Sequence, residues 1–348
     1  MKKRESYQPD WRRIVRAARN QQNETFPLYE HAVSPLVLDQ LMGKPVSTLM
    51  EGDAQEKEEA LSLSCSYLAS IGYDVFPFEG CIVEVIQGGD GLCGIAGPLF
   101  SNLQELDSYP WDEVPERYFQ RFDPYFRALR RRLPPGMKAV AGVGNGLFEI
   151  VQDFVPITNL AFLEMDDPPA FELLWKRVGE LMYTIWERFL KEYGDAFCLF
   201  RFGDDLGFKT SLLMKPETVR THIIPQYRRI IDLIHTTGAP FILHSCGAIF
   251  EVMDELIDAG IDAKHSNEDA IAPFTEWVER YGSKIGNFGG VDMDLLCRSD
   301  EAGIRAYVKE LLAALGDAPG IALGSGNQIA DYVPPEGFLA MVEAFRQV

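Results

Sequence analysis

The sequence predicts a (β/α)8 barrel. Short apolar runs alternate with amphipathic stretches along most of the chain, and eight such runs can be counted. Alternation of this kind means parallel strands joined by crossover helices. A length of 348 residues suits one such barrel with insertions.

Taken in order, the first strand is expected at 26–31 and the second at 73–78. The residues before them read as a helical extension. The glycine-rich stretch 88–94 reads as a loop inserted after strand two. No Lys and Ser/Thr follow it in P-loop spacing, so it is not a phosphate cradle. The third strand is expected at 138–143, ending in Gly144-Asn145-Gly146. Leu174, Val178, Leu181, Met182, Ile185 and Phe189, spaced by three and four where not adjacent, lay one stripe on a helix that Gly194 closes. The fourth strand is 197–202. Ile223, Tyr227, Ile230, Ile231 and Ile234 form the next helical stripe, with Pro225 near its start and Gly238 past its end. Strand five is 240–243, and the helix through Ile249, Val252, Met253 and Leu256 is capped by Gly260. Strands six, seven and eight are expected at 262–265, 284–288 and 321–324, with a last helix over 338–345. The alternative, an open doubly wound sheet, wants a GxGxxG turn after an early strand. Gly142-Val143-Gly144 does not supply it. The whole of 1–348 is therefore expected to be one barrel domain.

The composition, 47% hydrophobic and 24% charged, is that of a globular protein with a sizeable core. A net charge of −19 argues against nucleic acid and anionic membranes as partners, because both need clustered Lys and Arg. No apolar run is long enough for a membrane span, and Met1-Lys2-Lys3-Arg4-Glu5-Ser6 leads into polar sequence, unlike a secretory leader. A cytoplasmic protein, as a monomer or an oligomer, is the expectation. The six cysteines are scattered with no CxxC pair, which suggests reduced thiols.

Barrel active sites gather at the carboxyl ends of the strands, and here those ends are rich in polar groups. They carry Glu30-His31, Glu79, Asn145 and Glu149, Asp204-Asp205, His244-Ser245-Cys246, His265 through Asp269, Asp292 and Ser325-Gly326-Asn327. Agreement across all eight strands favours an enzyme over a binding module. On a strand end, residues i and i+2 point the same way, so His244 and Cys246 can reach one point. Imidazole nitrogen with thiolate sulfur is a zinc-type ligand pair. The alternative is a barrel-mouth histidine beside a buried cysteine. A zinc site needs a third protein ligand. Cys297 lies on a later helical stretch and is a weak candidate, whereas His265, Glu149 and Asp205 could each complete a mixed N/S/O set. Glu149, Asp204 and Asp205 also suit acid–base work, since carboxylates sharing a cleft push their pKa values apart. Asp204 serves equally well as a helix cap, and Asp205 is the better functional candidate.

The segments Gly203-Asp204-Asp205-Leu206-Gly207, Lys215-Pro216-Glu217, Ile224-Pro225-Gln226-Tyr227 and His244-Ser245-Cys246-Gly247 resemble the uroporphyrinogen decarboxylase-like superfamily. Asp254 through Asp262, Phe288-Gly289-Gly290-Val291-Asp292 and Val333-Pro334-Pro335-Glu336 continue the resemblance. It implies a (β/α)8 barrel and one of two chemistries. One is metal-free decarboxylation of uroporphyrinogen. The other is methyl transfer to or from a corrinoid carried by a separate protein, with zinc held by His-x-Cys and a distant cysteine. The decarboxylases carry an R-Q-A-G-R motif near the first strand, where this chain reads Arg19-Asn20-Gln21-Gln22-Asn23. A substrate bristling with carboxylates needs such cations, so the His-x-Cys-Gly segment points to the methyltransferases instead. Those place the distal cysteine in a segment like G-C-G-I at the last strand, and here Gly324-Ser325-Gly326-Asn327 stands there without one. Either the third ligand comes from elsewhere or no metal is bound.

The resemblance thus implies a corrinoid-dependent methyltransferase, a demethylase of a small O- or N-methyl substrate or a transferase to a thiol acceptor, with a corrinoid protein as partner. His244 and Cys246 would hold zinc, and Asp205, Glu149 and His244 would be catalytic. Asp204, Asn145, His265, Asn267, Asp292 and Asn327 would line the substrate. A carboxy-lyase acting on a small acid or tetrapyrrole is the alternative, and a non-catalytic binder a third reading.

Overall fold

The computed structural model, which describes residues 7–346, places seven parallel strands in one sheet in sequential order. They are β1 (Val75–Cys81), β2 (Lys138–Gly144), β3 (Phe197–Gly203), β4 (Phe241–His244), β5 (Ala263–His265), β6 (Gly286–Val291) and β7 (Ile321–Ser325). Every crossover between neighbours is helical or partly helical, as parallel pairing requires. All seven strands expected from 73 onward are present, displaced by no more than a few residues.

The first expected strand is corrected. Over 26–31 only Leu28 pairs, in a single parallel bridge to Leu323 on the free edge of β7. The Tyr29 amide donates to the Leu323 carbonyl and the Leu323 amide to that of Pro27. Pro27 has no N–H to extend the ladder. The segment still takes the eighth position, because Tyr29 turns its ring into the barrel with the inward residues of the other strands.

Those inward residues form two layers. The lower is apolar: Val75, Val140, Leu199, Ile242, Ala263, Phe288 and Ala322, one or more from each strand, with Tyr29. Its floor is the helix Arg12–Ala18, the expected amino-terminal extension, which packs against the beginnings of β3, β6 and β7. Ile14, Ala17 and Ala18 lie on one helical face at spacings of three and one, and all three are fully buried. The upper layer is polar: Glu30, His31, Arg201, His244 and His265 are buried near the strands' carboxyl ends. The outward faces of the strands are apolar, Phe200 and Phe202 on β3 and Phe241 and Leu243 on β4, and join the large core beneath the surrounding helices.

The glycine-rich insertion follows β1 as expected. It is held against the helix Leu147–Phe154, for the Asp90 amide donates to Asp153 Oδ1 at 2.9 Å and the Gly91 amide to the Asp153 carbonyl. No described helix is long and apolar enough to cross a membrane.

Because Ile14 plugs the floor from a short helix, Ile14→Ala leaves a cavity that neighbours cannot easily fill. It is expected to cost about 2–5 kcal/mol, read as a lowered midpoint in denaturant unfolding.

Candidate functional site

The carboxyl end of β4 delivers His244, and the chain then turns so that Cys246 comes back towards the same ring. Cys246 Sγ lies 3.6 Å from His244 Nε2. The turn closes on Gly247, whose φ is +84° and whose missing Cβ would strike the backbone of Gly207 in the loop after β3. That contact brings the Asp204-Asp205 loop alongside. The Cys246 amide donates to Asp205 Oδ1 at 2.9 Å, and the same carboxylate stands 3.9 Å from His244 Nε2. Asp205, His244 and Cys246 thus offer one oxygen, one nitrogen and one sulfur, all within 4.8 Å of one another.

The hydrogen bonds behind His244 decide which of its nitrogens is free. His265 Nε2 lies 3.2 Å from the Ser325 carbonyl, which can only accept, so that nitrogen carries the proton. Burial, reinforced by the charge of Arg201, keeps both imidazoles neutral: His265 is pushed down to about 3 and His244 well below its usual value. His265 Nδ1 therefore presents a lone pair, and His244 Nδ1, 2.7 Å away, donates to it. His244 Nε2 is left as a lone pair aimed at Cys246 and Asp205. This arrangement, an imidazole fixed in tautomer by a partner on its far nitrogen, is how proteins orient a metal ligand.

The sulfur is also prepared. Asn327 Nδ2 lies 3.3 Å from Cys246 Sγ and Ser266 Oγ 3.7 Å from it, both as donors. Burial pushes the Cys246 thiol up to about 12. A bound cation would offset that burial and hold the thiolate. The donor set, the preset lone pair and the donors on sulfur all fit zinc. Asp205, from the loop after β3, stands where it could supply the third donor that the last strand lacks. A second trio, His31, His244 and His265, also has its nitrogens close together. It fits a metal less well, since His265 and His244 already hydrogen-bond each other through Nδ1.

The other residues singled out from sequence divide. Asn327 reaches the site through Cys246. Glu149 lies on the first turn of the helix Leu147–Phe154 and accepts from Asn145 Nδ2 at 2.8 Å. Its carboxyl is raised well above the usual range by burial and by Asp204. Asn145 adopts φ +65°, a conformation Asn tolerates, and ties Glu149 to the Val83 amide.

Four residues expected to line the substrate have bonding partners within the protein. Asp204 is fully buried and accepts from the Phe148 and Glu149 amides, both at 2.9 Å, and from the Tyr227 hydroxyl. It caps the start of the helix Leu147–Phe154 from another unit. His265 stands behind His244. Asn267 accepts from the Gly290 amide at 2.9 Å and donates to its carbonyl, bracing β6. Asp292 caps the helix Met293–Arg298 and accepts from the Asp269 amide. Cys297, half-buried on that helix, joins neither donor group.

Sequence reasoning missed two buried cations. Arg201, inside the barrel, donates to the Tyr29 hydroxyl at 3.1 Å and the His31 carbonyl at 2.7 Å, and pairs with Glu79 at 2.7 Å. Lys264 stacks its ammonium 3.6 Å above the Trp277 ring and donates to the Ser266 carbonyl. Burial pushes it down to about 7. For Arg201 the available signal was a charge within an otherwise apolar strand.

Fold and mouth together define an α/β-barrel enzyme with a mixed N/S/O donor site at the carboxyl ends of its strands. Residues 89–348 match the family described as uroporphyrinogen decarboxylase (URO-D), and the chain belongs to that family. Among solved structures it is similar to a methyltransferase from Methanosarcina mazei, with TM-score 0.73 at 17% identity over 96% of this chain and 97% of that one. It is also similar to a B12-independent methionine synthase from Shewanella sp. W3-18-1, with TM-score 0.50 at 14% identity over 84% and 88%. No curated protein sequence matches it.

The two adjacent aspartates should behave differently when removed. Asp204→Ala orphans two amides and a hydroxyl and is expected to cost about 2–4 kcal/mol, whereas Asp205→Ala, half-exposed, should stay within about 1 kcal/mol. Equal losses in chemical denaturation would sink the distinction. Glu30, buried beneath Ser325, is pushed up to about 8 by burial against an ordinary 4.5. The folded state then binds more protons than the unfolded state between those values. Stability should fall as pH rises through that window, by at most about 1.4 kcal/mol per pH unit, and should be unaffected by Glu30 at lower pH. In Glu30→Gln this part of the decline is expected to vanish from unfolding curves measured between pH 5 and 8.

Proposed function

We propose that the protein is a methyltransferase of a corrinoid-dependent system, moving a methyl group between a small O- or N-methyl substrate, or a thiol acceptor, and a corrinoid carried on a separate protein. The observation that carries this reading is the convergence of Asp205, His244 and Cys246 at the barrel mouth, with the His244 Nε2 lone pair already directed at the other two. These three residues would hold a zinc ion. When bound, it would supply a Lewis acid for the methyl-bearing heteroatom or hold a thiol acceptor as thiolate.

The chain's own residues have defined work in this scheme. His265 and the Ser325 carbonyl keep His244 in one tautomer, and the Cys246 amide keeps the Asp205 carboxylate turned inward. Asn327 and Ser266 steady the Cys246 sulfur. Glu149, held protonated by burial, keeps a proton on its carboxyl for a departing heteroatom.

The partner reading draws on the surface. The eight large hydrophobic side chains most exposed among the described residues include Ile95, Phe162, Met165, Phe208 and Tyr332, together with Leu36, Leu103 and Leu213. Phe208 is tied to the mouth, its carbonyl accepting from the Ala248 amide just past the His244–Gly247 turn, and an exposed apolar group there suits a docking protein.

Decarboxylation of a polyanionic tetrapyrrole is less well supported. The Arg19–Asn23 stretch lies at the opposite end of the barrel, where Arg19 donates to the Gly238 carbonyl and Asn20 to that of Gly282. Arg201, the cation within the mouth, is already engaged by Glu79, Tyr29 and His31.

Metal analysis of purified protein should find roughly one zinc per chain, lost in Cys246→Ala and reduced in Asp205→Ala. Incubation with reduced corrinoid and a panel of methyl ethers, methylamines and thiols should give zinc-dependent methyl transfer. Metal-free protein that releases CO2 from candidate acids, with no methyl transfer, would replace this reading with the carboxy-lyase.

A further inference from the structure

At the end of the barrel away from the mouth, beside the floor helix, lies a cavity of about 590 Å³. Its charge runs against that of the chain. Acids outnumber bases by 52 to 33 overall, yet Arg12, Arg16, Arg19 and Lys138 line this one recess and Asp195 is its sole carboxylate. Asp195 is drawn outward, paired with Arg130 at 2.6 Å. Among the described residues, Arg16, Arg19 and Lys138 form no ion pair with any carboxylate. Arg16 donates to Asn23, Arg19 to the Gly238 carbonyl and Lys138 to the Asp195 carbonyl, all neutral acceptors.

In a chain so acidic, three cations left with neutral acceptors around one hollow make a local positive field. The rest of the wall is mixed: Gln21 and Thr237 stand on it beside an apolar side. Phe197 and Phe200 of β3, Leu190 and Trp11 supply that side. Trp11 already has Lys138 Nζ and Arg12 Cζ each 5.0 Å from its ring, so its face lies within the cationic rim. A recess of this size is in the range of about 300–1,000 Å³ that holds a small organic ligand.

We infer that this cavity is a second binding site, separate from the barrel mouth, for a small organic anion with a flat apolar body, such as an aryl phosphate or aryl carboxylate. The apolar wall takes the body, and Arg16, Arg19 and Lys138 take the anionic end. The inference does not depend on the metal or on the methyl-transfer reading. A bare inorganic anion would leave the aromatic wall unfilled, and a neutral aromatic would leave the cations without a partner. Both parts of the ligand are therefore needed.

The test is calorimetric titration of the full-length protein with 1-naphthyl phosphate, set beside 1-naphthol and inorganic phosphate. One saturable site is expected for naphthyl phosphate, with either fragment at least about tenfold weaker. Raising the salt from about 0.05 to 0.5 M should weaken the binding. The double variant Arg16→Gln/Lys138→Gln should lose at least about tenfold in affinity. Its fold is checked by an unchanged melting temperature, since neither side chain is buried. Trp11→Phe should retain the anion dependence. Naphthol binding as tightly as the phosphate ester would reduce the cavity to an apolar cleft and overturn the inference. So would inorganic phosphate binding as tightly as the ester, or a double variant that binds as well as the parent.

Discussion

The hydrogen bond from His265 Nε2 to the Ser325 carbonyl gives the barrel mouth its chemical direction. A carbonyl can only accept, so one proton position is fixed, and neutrality of the two buried rings passes that choice to His244. The anchor lies further back. Ser325 is held by its amide and hydroxyl on Glu30, which also accepts from Tyr73. The relay thus joins the segment before the first crossover to β7, β5 and β4. Its members are separated by up to 295 residues in sequence. The Leu28–Leu323 bridge sets Glu30 beside Ser325, and curling of the sheet brings Tyr73, just before β1, to the same carboxylate. Buried polar groups of this kind are costly unless every one is satisfied, which ties the polar mouth to the completeness of the barrel beneath it.

Arg201 has a complementary role. Its buried guanidinium is balanced by Glu79, but its field also reaches the three imidazoles. After burial, it is the leading or second charge that disfavours protonating His31, His244 and His265. Burial disfavours protonating the three histidines, and this cation adds to it, so they are held as lone-pair donors. A buried ion pair contributes little to net stability once desolvation is counted. Its value here is in the protonation states it imposes.

Much of this was legible in the sequence, and the limits have physical causes. Strands read well wherever an apolar run was bounded by turn residues, because each is buried on both faces in a parallel sheet. The 26–31 segment carried the same apolar signal but only one ladder bridge formed, since Pro27 sits within it. The pairing of His244 with Cys246 was legible because it is local, set by the two-residue repeat of an extended chain. The third donor was not. Asp205, Glu149 and His265 were equally plausible until the Gly207–Gly247 contact set the β3 loop against the β4 loop. Asn267 and Asp292 gave the same rim signal as a ligand-binding residue, yet their hydrogen bonds close on the protein's own backbone. Arg201 escaped because it was hidden in a strand counted for its apolar neighbours, and Lys264 because attention fell on His265 beside it.

The adjacent aspartates show how one chain direction separates structure from chemistry. Neighbours on an extended segment point to opposite sides, so as β3 ends Asp204 turns into the protein while Asp205 turns to the mouth. Asp204 meets the exposed amides of a helix start, where a carboxylate is favoured by both hydrogen bonding and the helix dipole. With Tyr227 added, three donors occupy its two oxygens. Asp205 receives only the Cys246 amide. One bond is enough to orient the carboxylate and too few to saturate it, so lone pairs remain facing His244 and Cys246. The rigid neighbour fixes the loop, and the under-satisfied one faces the site. That division, and not the number of acids at the rim, is what makes Asp205 available as a ligand.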